Sequence, residues 1–371
     1  KQIVTSKPLP GIELKTLKTS VKDVVTITGS MLGGDEFSPE KNKSIAELTA
    51  EMLGEGTKTQ NKFEISERLE SVGASLNFSS DKHRVRFNAR CMKKDVPLVV
   101  ELLGEQLRTP AFNETDLENL QKRLIGSLKR SKQNTRTRAS GEFKRTLYPK
   151  KHPNYSSEID DIIADVKKVS RKNLKSFHET NYGLGNMRIV VVGDVDNNAI
   201  SKALKHAFKD WKKSKLFIPD LTLSANDTGP KTHYVTVKDK TSVDMFMGVP
   251  IGIDNTHEDY YSLMVANYIL GGNFAARLMQ TVRDKMGLTY GVYSSIRGAS
   301  NGSDGYWSVW GTFAPEMLKK GKQAVADQVN GWVRGITDDE LSAKKETITG
   351  SYKVGLATTG GLAGQIIRNA E

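Results

Sequence analysis

The sequence predicts an α+β fold of two similar units, each a mainly antiparallel sheet packed against helices. A helix–Gly–helix–Gly–strand order occurs twice. Met52-Leu53-Gly54-Glu55-Gly56 closes one helix, a second helix follows, and Val72-Gly73-Ala74 opens a strand. Ile269-Leu270-Gly271-Gly272 closes a later helix, another follows, and Met286-Gly287-Leu288 opens a strand. The same order at two places marks a duplicated unit. Between them, residues 212–231 hold Pro219 and Gly229-Pro230 with no clean apolar period, and read as a linker. A length of 371 residues also fits about two domains at roughly 100–200 residues each. The division is 1–211 for the first unit, 212–231 for the linker and 232–371 for the second.

Residues 1–41 read as strands and turns, with β-branched Val24 to Ile27 broken by Gly33-Gly34-Asp35. From Asn42 to Leu53, apolar Ile45, Leu48, Met52 and Leu53 fall at helical spacing, with Asn42 or Ser44 as cap. A helix from Lys62 to Val72 stops at Gly73. Ala74 to Cys91 alternates through Leu76, Phe78, Val85, Phe87 and Ala89, as two strands or one hairpin. Val96 to Leu107 is a helix closed by Thr109-Pro110, and Glu114 to Ser140 a long polar helix. Helices are predicted over Ser156 to Val169, Arg171 to Asn181 and Asn198 to Trp211, with a buried strand at Met187 to Val192. The second unit restarts with strands at Tyr234 to Val237 and Val243 to Val249. Helices follow at Glu258 to Leu270 and Ala275 to Lys285. A hairpin from Thr289 to Thr312 turns at Asn301-Gly302-Ser303-Asp304-Gly305. Helices over Pro315 to Arg334 and Asp338 to Tyr352 close the readable part. Nothing after Tyr352 matches Met187 to Trp211, so a natural C-terminus is expected beyond residue 371.

The composition narrows the function classes. A hydrophobic share of 37% with 26% charged residues is that of a globular chain, not a collagenous or disordered one. The lone cysteine, Cys91, excludes an intramolecular disulfide and any multi-cysteine metal site, and reads as an inert strand residue. The apolar runs are strand-length, too short for a membrane span. Lysine and arginine exceed aspartate and glutamate by 12. The densest basic stretch, Lys122 to Arg145, has no interleaved aromatics and reads as a solvated helix face, not a nucleic-acid surface. The chain starts at Lys1, as after removal of a leader, and a bacterial periplasm is the expected compartment.

Ala46-Glu47-Leu48-Thr49-Ala50-Glu51-Met52-Leu53-Gly54-Glu55-Gly56-Thr57, followed by Val72-Gly73-Ala74-Ser75-Leu76-Asn77, resembles the H-x-x-E-H helix and next strand of the insulinase/pitrilysin-type (inverzincin) zinc peptidases. Arg277-Leu278 and Val282-Arg283-Asp284-Lys285-Met286-Gly287-Leu288-Thr289-Tyr290 resemble the second half of the same family. The resemblance covers nearly the whole chain and implies a mitochondrial processing peptidase-like metallohydrolase fold. It also exposes a departure. The motif needs two histidines four apart to hold zinc and a glutamate base between them. Glu47, Ala50 and Glu51 stand there, and the stretch matching the third ligand, at Gly126-Ser127, offers no carboxylate. Glu47 and Glu51 share a helix face. Oxygen ligands suit calcium or magnesium, but nothing nearby completes such a shell, and the pair reads as two solvated glutamates on a helix or in a former cleft. His83, His152, His178, His206, His233 and His257 include no two that are four apart. Gly271-Gly272 lacks the residues of a phosphate loop.

The resemblance implies that Arg283 and Tyr290, seven apart across a Gly-Leu turn, grip substrate carbonyls beside the scissile bond. A guanidinium and a phenol are donors suited to a developing oxyanion. Read without the family, Arg283 is a cation at a helix end and Tyr290 a strand residue. Second-half donors kept and first-half ligands lost point to a non-catalytic subunit of a two-chain zinc metallopeptidase. No cofactor is expected in this chain. Zinc belongs to an H-x-x-E-H partner in a heterodimer, or the chain forms a same-family dimer, and the substrate is a peptide, bound partly by strand addition. The alternative is a purely structural homologue, like the core subunits of the respiratory cytochrome bc complex. The non-catalytic subunit of mitochondrial processing peptidase fits less well, because Leu270-Gly271-Gly272-Asn273-Phe274 is too short for its glycine-rich loop.

Overall fold

The structure is a computed structural model that describes residues 2–39, 41–216, 224–226, 229–300 and 302–371. Spatial proximity groups Lys1–Ile125, Ile163–Pro219 and Tyr352–Glu371 into one compact unit, and Gly126–Ile162 with Asp220–Ser351 into another.

The first unit is built on a mixed sheet of β1 (Val4–Ser6), β2 (Ile12–Lys18), β3 (Val24–Leu32), β4 (Ser75–Ser80), β5 (Arg84–Met92) and β6 (Met187–Gly193). Their spatial order is β1-β2-β6-β3-β5-β4, and of these pairings β2 with β6 alone is parallel. β3 and β5 pair over their full length, from Val24 opposite Met92 to Leu32 opposite Arg84. Gly29 of β3 lies against the Phe87 ring, where an added Cβ would meet Cζ at 2.2 Å. The glycine is what lets that ring lie in the core.

The helices run α1 (Ser44–Glu51), α2 (Lys62–Glu70), α3 (Val96–Arg108), α4 (Glu114–Ser131), α5 (Thr135–Leu147), α6 (Ile159–Lys168), α7 (Arg171–Asn181) and α8 (Asn197–Phe208). α1 is shorter than the predicted 42–53 because its last turn tightens into a 3-10 segment, Met52–Glu55. α2 starts in a capping box, with Asn61 accepting from Phe63 and Glu64 while Glu64 accepts from the Asn61 N–H. The single helix predicted over 114–140 is two. The chain leaves helical geometry after Ser131, and the Asn134 side chain accepts from the Thr137 N–H at 2.8 Å to start α5. Asn134→Ala is expected to lower unfolding free energy by about 1 kcal/mol, the usual worth of such a cap, read from urea melts. An unchanged midpoint would remove the cap from the account.

The second unit holds a three-stranded antiparallel sheet of β7 (Val243–Pro250), β8 (Gly291–Arg297) and β9 (Tyr306–Phe313), in the order β7-β9-β8. α9 (Tyr260–Leu270), α10 (Leu318–Arg334) and α11 (Asp338–Gly355) belong with it, and α12 (Thr359–Ala370) ends the chain. Leu270, Leu278, Met279, Val282, Val309 and Phe313 form the heart of its core. Tyr234 to Val237, predicted as a strand, is not one. Among the described residues they pair with no strand, and Tyr234 stands 86% exposed. Within the predicted linker, 217–223 and 227–228 lie outside the described residues, as does Asn301 of the predicted hairpin turn.

The duplication is explicit in the topology. β3-β5-β4 in the first sheet corresponds to β7-β9-β8 in the second, with the same antiparallel pairings. A helix–break–helix pair, α4–α5 and α11–α12, follows each copy, and each second helix is capped alike, by Asn134 and by Thr358. The spatial grouping nonetheless cuts across a division at 212–231. α5 packs on β7, whereas α12 packs on β3 and β6. Ala363, Ile366 and Ile367 of α12 lie on Leu17, Val190 and Val192. Strand alternation turns Ile189 and Val191 to the opposite face. β6 is therefore buried on both faces, which is why Ile189 to Val192 reads as an unbroken apolar run.

Candidate functional site

α1 presents Ile45, Ala46, Leu48, Thr49 and Ala50 to the core, which leaves Glu47 half-buried and Glu51 exposed. Ala50, at the position of the motif's base, is fully buried and carries no polar group. Burial, then the charge of Glu51, pushes the Glu47 carboxyl above its usual range. Ser127 is exposed on α4, in the stretch grouped with the second unit. No imidazole stands on α1, and among the described residues no three His, Cys, Asp or Glu side chains gather as a metal site. This donor set does not fit zinc.

The first unit holds a group that the sequence reading passed over. Asp35, in the 3-10 turn Asp35–Phe37 after β3, has its carboxyl pushed up to about 7. Burial is the main cause, followed by the charge of Glu47 and that of Asp81. Lys82 opposes the shift, and Glu36 adds to it. Asp35 Oδ1 and Glu36 Oε1 are both buried without a hydrogen-bond partner. Glu36 pairs through its other oxygen with His83. The sequence signal was Gly33-Gly34-Asp35, which marks a turn but not an acid beside Glu47. Next to α1, Lys62 bridges Glu55 at 2.8 Å and Asp116 at 2.9 Å, and Arg123 reaches Glu55 at 3.1 Å. Cys91 is buried in β5, and burial pushes its thiol up to about 11, so it carries no thiolate chemistry at neutral pH.

In the second unit the structure brings Arg283 and Tyr290 together. Met279–Lys285 forms a π-helical segment, a wider turn of the kind that re-aims side chains at functional sites. Gly287, at φ +61°, reverses the chain, and its N–H bonds the Arg283 carbonyl at 2.9 Å. Leu288 is held in the core and bonds the Val282 carbonyl at 3.0 Å, which pins the turn between the two residues. The Arg283 guanidinium lies 4.9 Å from the Phe274 ring centroid and 5.7 Å from that of Tyr290. One of its nitrogens donates to Asp284 at 2.8 Å, leaving further N–H donors. Tyr290 is 87% exposed.

A duplicated sheet-and-helix fold, with no zinc ligands on α1 among the described residues and an Arg–Tyr pair at the turn before β8, points to a peptidase-like class of protein. The family described as "Insulinase (Peptidase family M16)" matches residues 16–157, and "Peptidase M16 inactive domain" matches residues 168–348. The chain belongs to the M16 insulinase-type peptidase family. It is 24% identical over 372 residues to an uncharacterized zinc protease of Streptomyces coelicolor, spanning 96% of this chain and 78% of that protein. A Helicobacter pylori relative at 23% identity, with 86% of this chain and 72% of that protein covered, is named a non-peptidase homolog. Among solved structures, a peptidase M16 inactive domain from Pseudomonas fluorescens superposes with a TM-score of 0.85 at 23% identity, covering 98% of this chain and 86% of that one. A Helicobacter pylori protease superposes at 0.84 with 17% identity, covering 99% and 90%. These likenesses bear out the fold. No helix among the described residues is long and apolar enough to cross a membrane.

Proposed function

We propose that this chain is the non-catalytic subunit of a two-chain zinc metallopeptidase. An H-x-x-E-H family member supplies the zinc and the base. This chain supplies half of the chamber and two substrate contacts, Arg283 and Tyr290. The observation that carries the reading is the pair itself. A tyrosine left 87% exposed contributes little to folding, yet it sits against a guanidinium at a turn held by core contacts. Its hydroxyl has no hydrogen-bond partner among the described residues. The phenol O–H is therefore available to the carbonyl oxygen of a bound peptide, where negative charge grows as the bond is attacked. The guanidinium, steadied by Asp284 and Phe274, holds a neighbouring carbonyl in register.

Co-expression with an H-x-x-E-H family member of the same genome is expected to yield a stable heterodimer with peptidase activity that neither chain has alone. Full activity of the partner by itself, with no association, would overturn the proposal in favour of a structural role. The isolated chain is expected to retain no zinc through purification and to cleave nothing, because Glu47, Ala50 and Glu51 replace ligand, base and ligand. Metal analysis finding about one zinc per chain, removable by chelator together with peptidase activity, would refute that.

A further inference from the structure

A second feature of the second unit is a cavity whose lining includes neither Arg283 nor Tyr290. With a volume of about 660 Å³, it opens between α5 and the sheet, lined from α5, β7, β8 and β9 and by Gly271-Gly272 at the end of α9. Its lining carries three cations, Arg136, Lys144 and Arg297, and no aspartate or glutamate. None of the three forms an ion pair among the described residues. The acids carried by the lining elements α5, β7, β8 and β9 are Asp244 and Glu142, and both are already engaged. Asp244 accepts from the Trp310 indole N–H at 2.6 Å and from the Thr135 hydroxyl, while Glu142 is bound to Arg145 at 2.8 Å. Lys144 is half-buried, and burial followed by the charge of Arg145 holds its ammonium below the usual lysine range. Three uncompensated cations around one cavity, one of them partly desolvated, lack only an anion.

The cavity is also preorganised. The Arg136 guanidinium lies 3.8 Å over the Trp310 ring, and Trp310 is fixed by Asp244 and by parallel Tyr293 at 6.1 Å. A guanidinium stacked on an indole face keeps its in-plane N–H edge for a carboxylate. α5 carries no acid in its first turn, so its positive end adds to the same field.

We propose that this cavity binds the acidic side chains of a peptide segment through Arg136, Lys144 and Arg297. The inference deepens the peptide-binding part of the reading above by naming the peptide's chemistry, and it rests on that reading only in taking a peptide as the ligand. The donors favour carboxylates over a nucleotide. The Gly271 and Gly272 amides both donate to the Asn267 carbonyl, at 3.0 and 3.2 Å, so they make no phosphate cradle. Phe246 stacks on Phe143 at 6.0 Å and Tyr306 meets the same ring edge-on at 5.7 Å, so these lining rings already have aromatic partners. The hydroxyls of Thr137, Ser140, Ser156 and Ser295 instead offer neutral partners to peptide amides.

The test uses the chain alone, so its failure is distinct from failure of the two-chain reading. A fluorescein-labelled acetyl-hexaglutamate peptide is titrated by anisotropy, with the hexaglutamine peptide, inorganic phosphate and ATP as competitors. Hexaglutamate is expected to bind, hexaglutamine not to compete, and Arg136→Gln, Lys144→Met and Arg297→Gln each to weaken binding about tenfold. Lys122→Gln and Lys129→Gln, exposed cations on α4 outside the cavity, are expected to change it less than twofold. Equal losses in both sets would reduce the effect to net charge and overturn the proposal. Displacement by phosphate or ATP at lower concentration than by unlabelled hexaglutamate would overturn it too. The competition on the unmodified chain decides the matter even if a cavity variant fails to fold.

Discussion

Replacing Tyr290 by phenylalanine is expected to lower kcat of the assembled, zinc-loaded complex by on the order of 10²–10³, the usual consequence of removing one oxyanion donor. The substitution deletes one hydroxyl and keeps the ring. The stacking of Arg283 against that ring, at 5.7 Å, therefore survives. Tyr290 is 87% exposed, so thermal stability should shift by less than about 0.5 kcal/mol. KM should change little, because the hydroxyl acts where charge develops and not in the ground state. Arg283→Ala is the poorer test. It removes a cation from the last turn of its helical segment and breaks contacts with Phe274 and Asp284, which mixes stability with chemistry. Turnover of a peptide by the reconstituted pair is the measurement. Wild-type kcat for Tyr290→Phe in a correctly assembled complex would move the assignment to a structural homologue.

Asp35→Asn is expected to stabilise the chain at pH 8 by up to about 4 kcal/mol and to leave it nearly unchanged at pH 4. The sign follows from proton linkage. The folded carboxyl sits at about 7 against a reference of 3.8, so between those values the folded state holds more protons than the unfolded one. Stability from this group is highest at low pH, falls as pH rises through the window from about 4 to about 7, and stays lost above it. Three pH units at about 1.4 kcal/mol each set the upper limit. The neutral amide removes the buried charge that faces Glu47, Asp81 and Glu36. Glu47 is raised in the same direction, so some pH dependence should persist in the single variant. Urea melts at pH 4, 6 and 8 read the effect. Parallel stability curves for wild type and variant would show that Asp35 is ionised at no such cost.

Asp35 and Glu47, both pushed up chiefly by burial, show that this side of α1 is not an ordinary solvated helix face. A reading that leaves Glu47 and Glu51 solvated holds for Glu51 alone. Glu47 is half-buried, because Ile45, Leu48 and Thr49 draw that helix into the core. The basic stretch Lys122 to Arg145 divides likewise. Lys122 and Lys129 are solvated, whereas Lys144 lines a cavity.

The sequence by itself determined the class of fold, the duplication and the loss of the zinc ligands. Each is written in local chemistry: apolar period, glycine at helix ends, and the identity of Glu47, Ala50 and Glu51 where the motif has histidine, the glutamate base and histidine. It also placed Arg283 and Tyr290, because seven residues across a Gly-Leu turn put both at one reversal of the chain. Only the tertiary structure decided which helix covers which sheet. α5 and α12 each have an apolar face that any sheet could cover, and no local signal names the partner. Nor is the break after Ser131 legible, since the polar residues through Ser140 suit a helix throughout and Asn134 becomes a cap only once α5 packs on β7. The charge state of Asp35 and the surplus of Arg136, Lys144 and Arg297 were decided there too. Both depend on which charges are brought within a few ångströms and which are shut off from water, and that is a property of packing between segments distant in the chain.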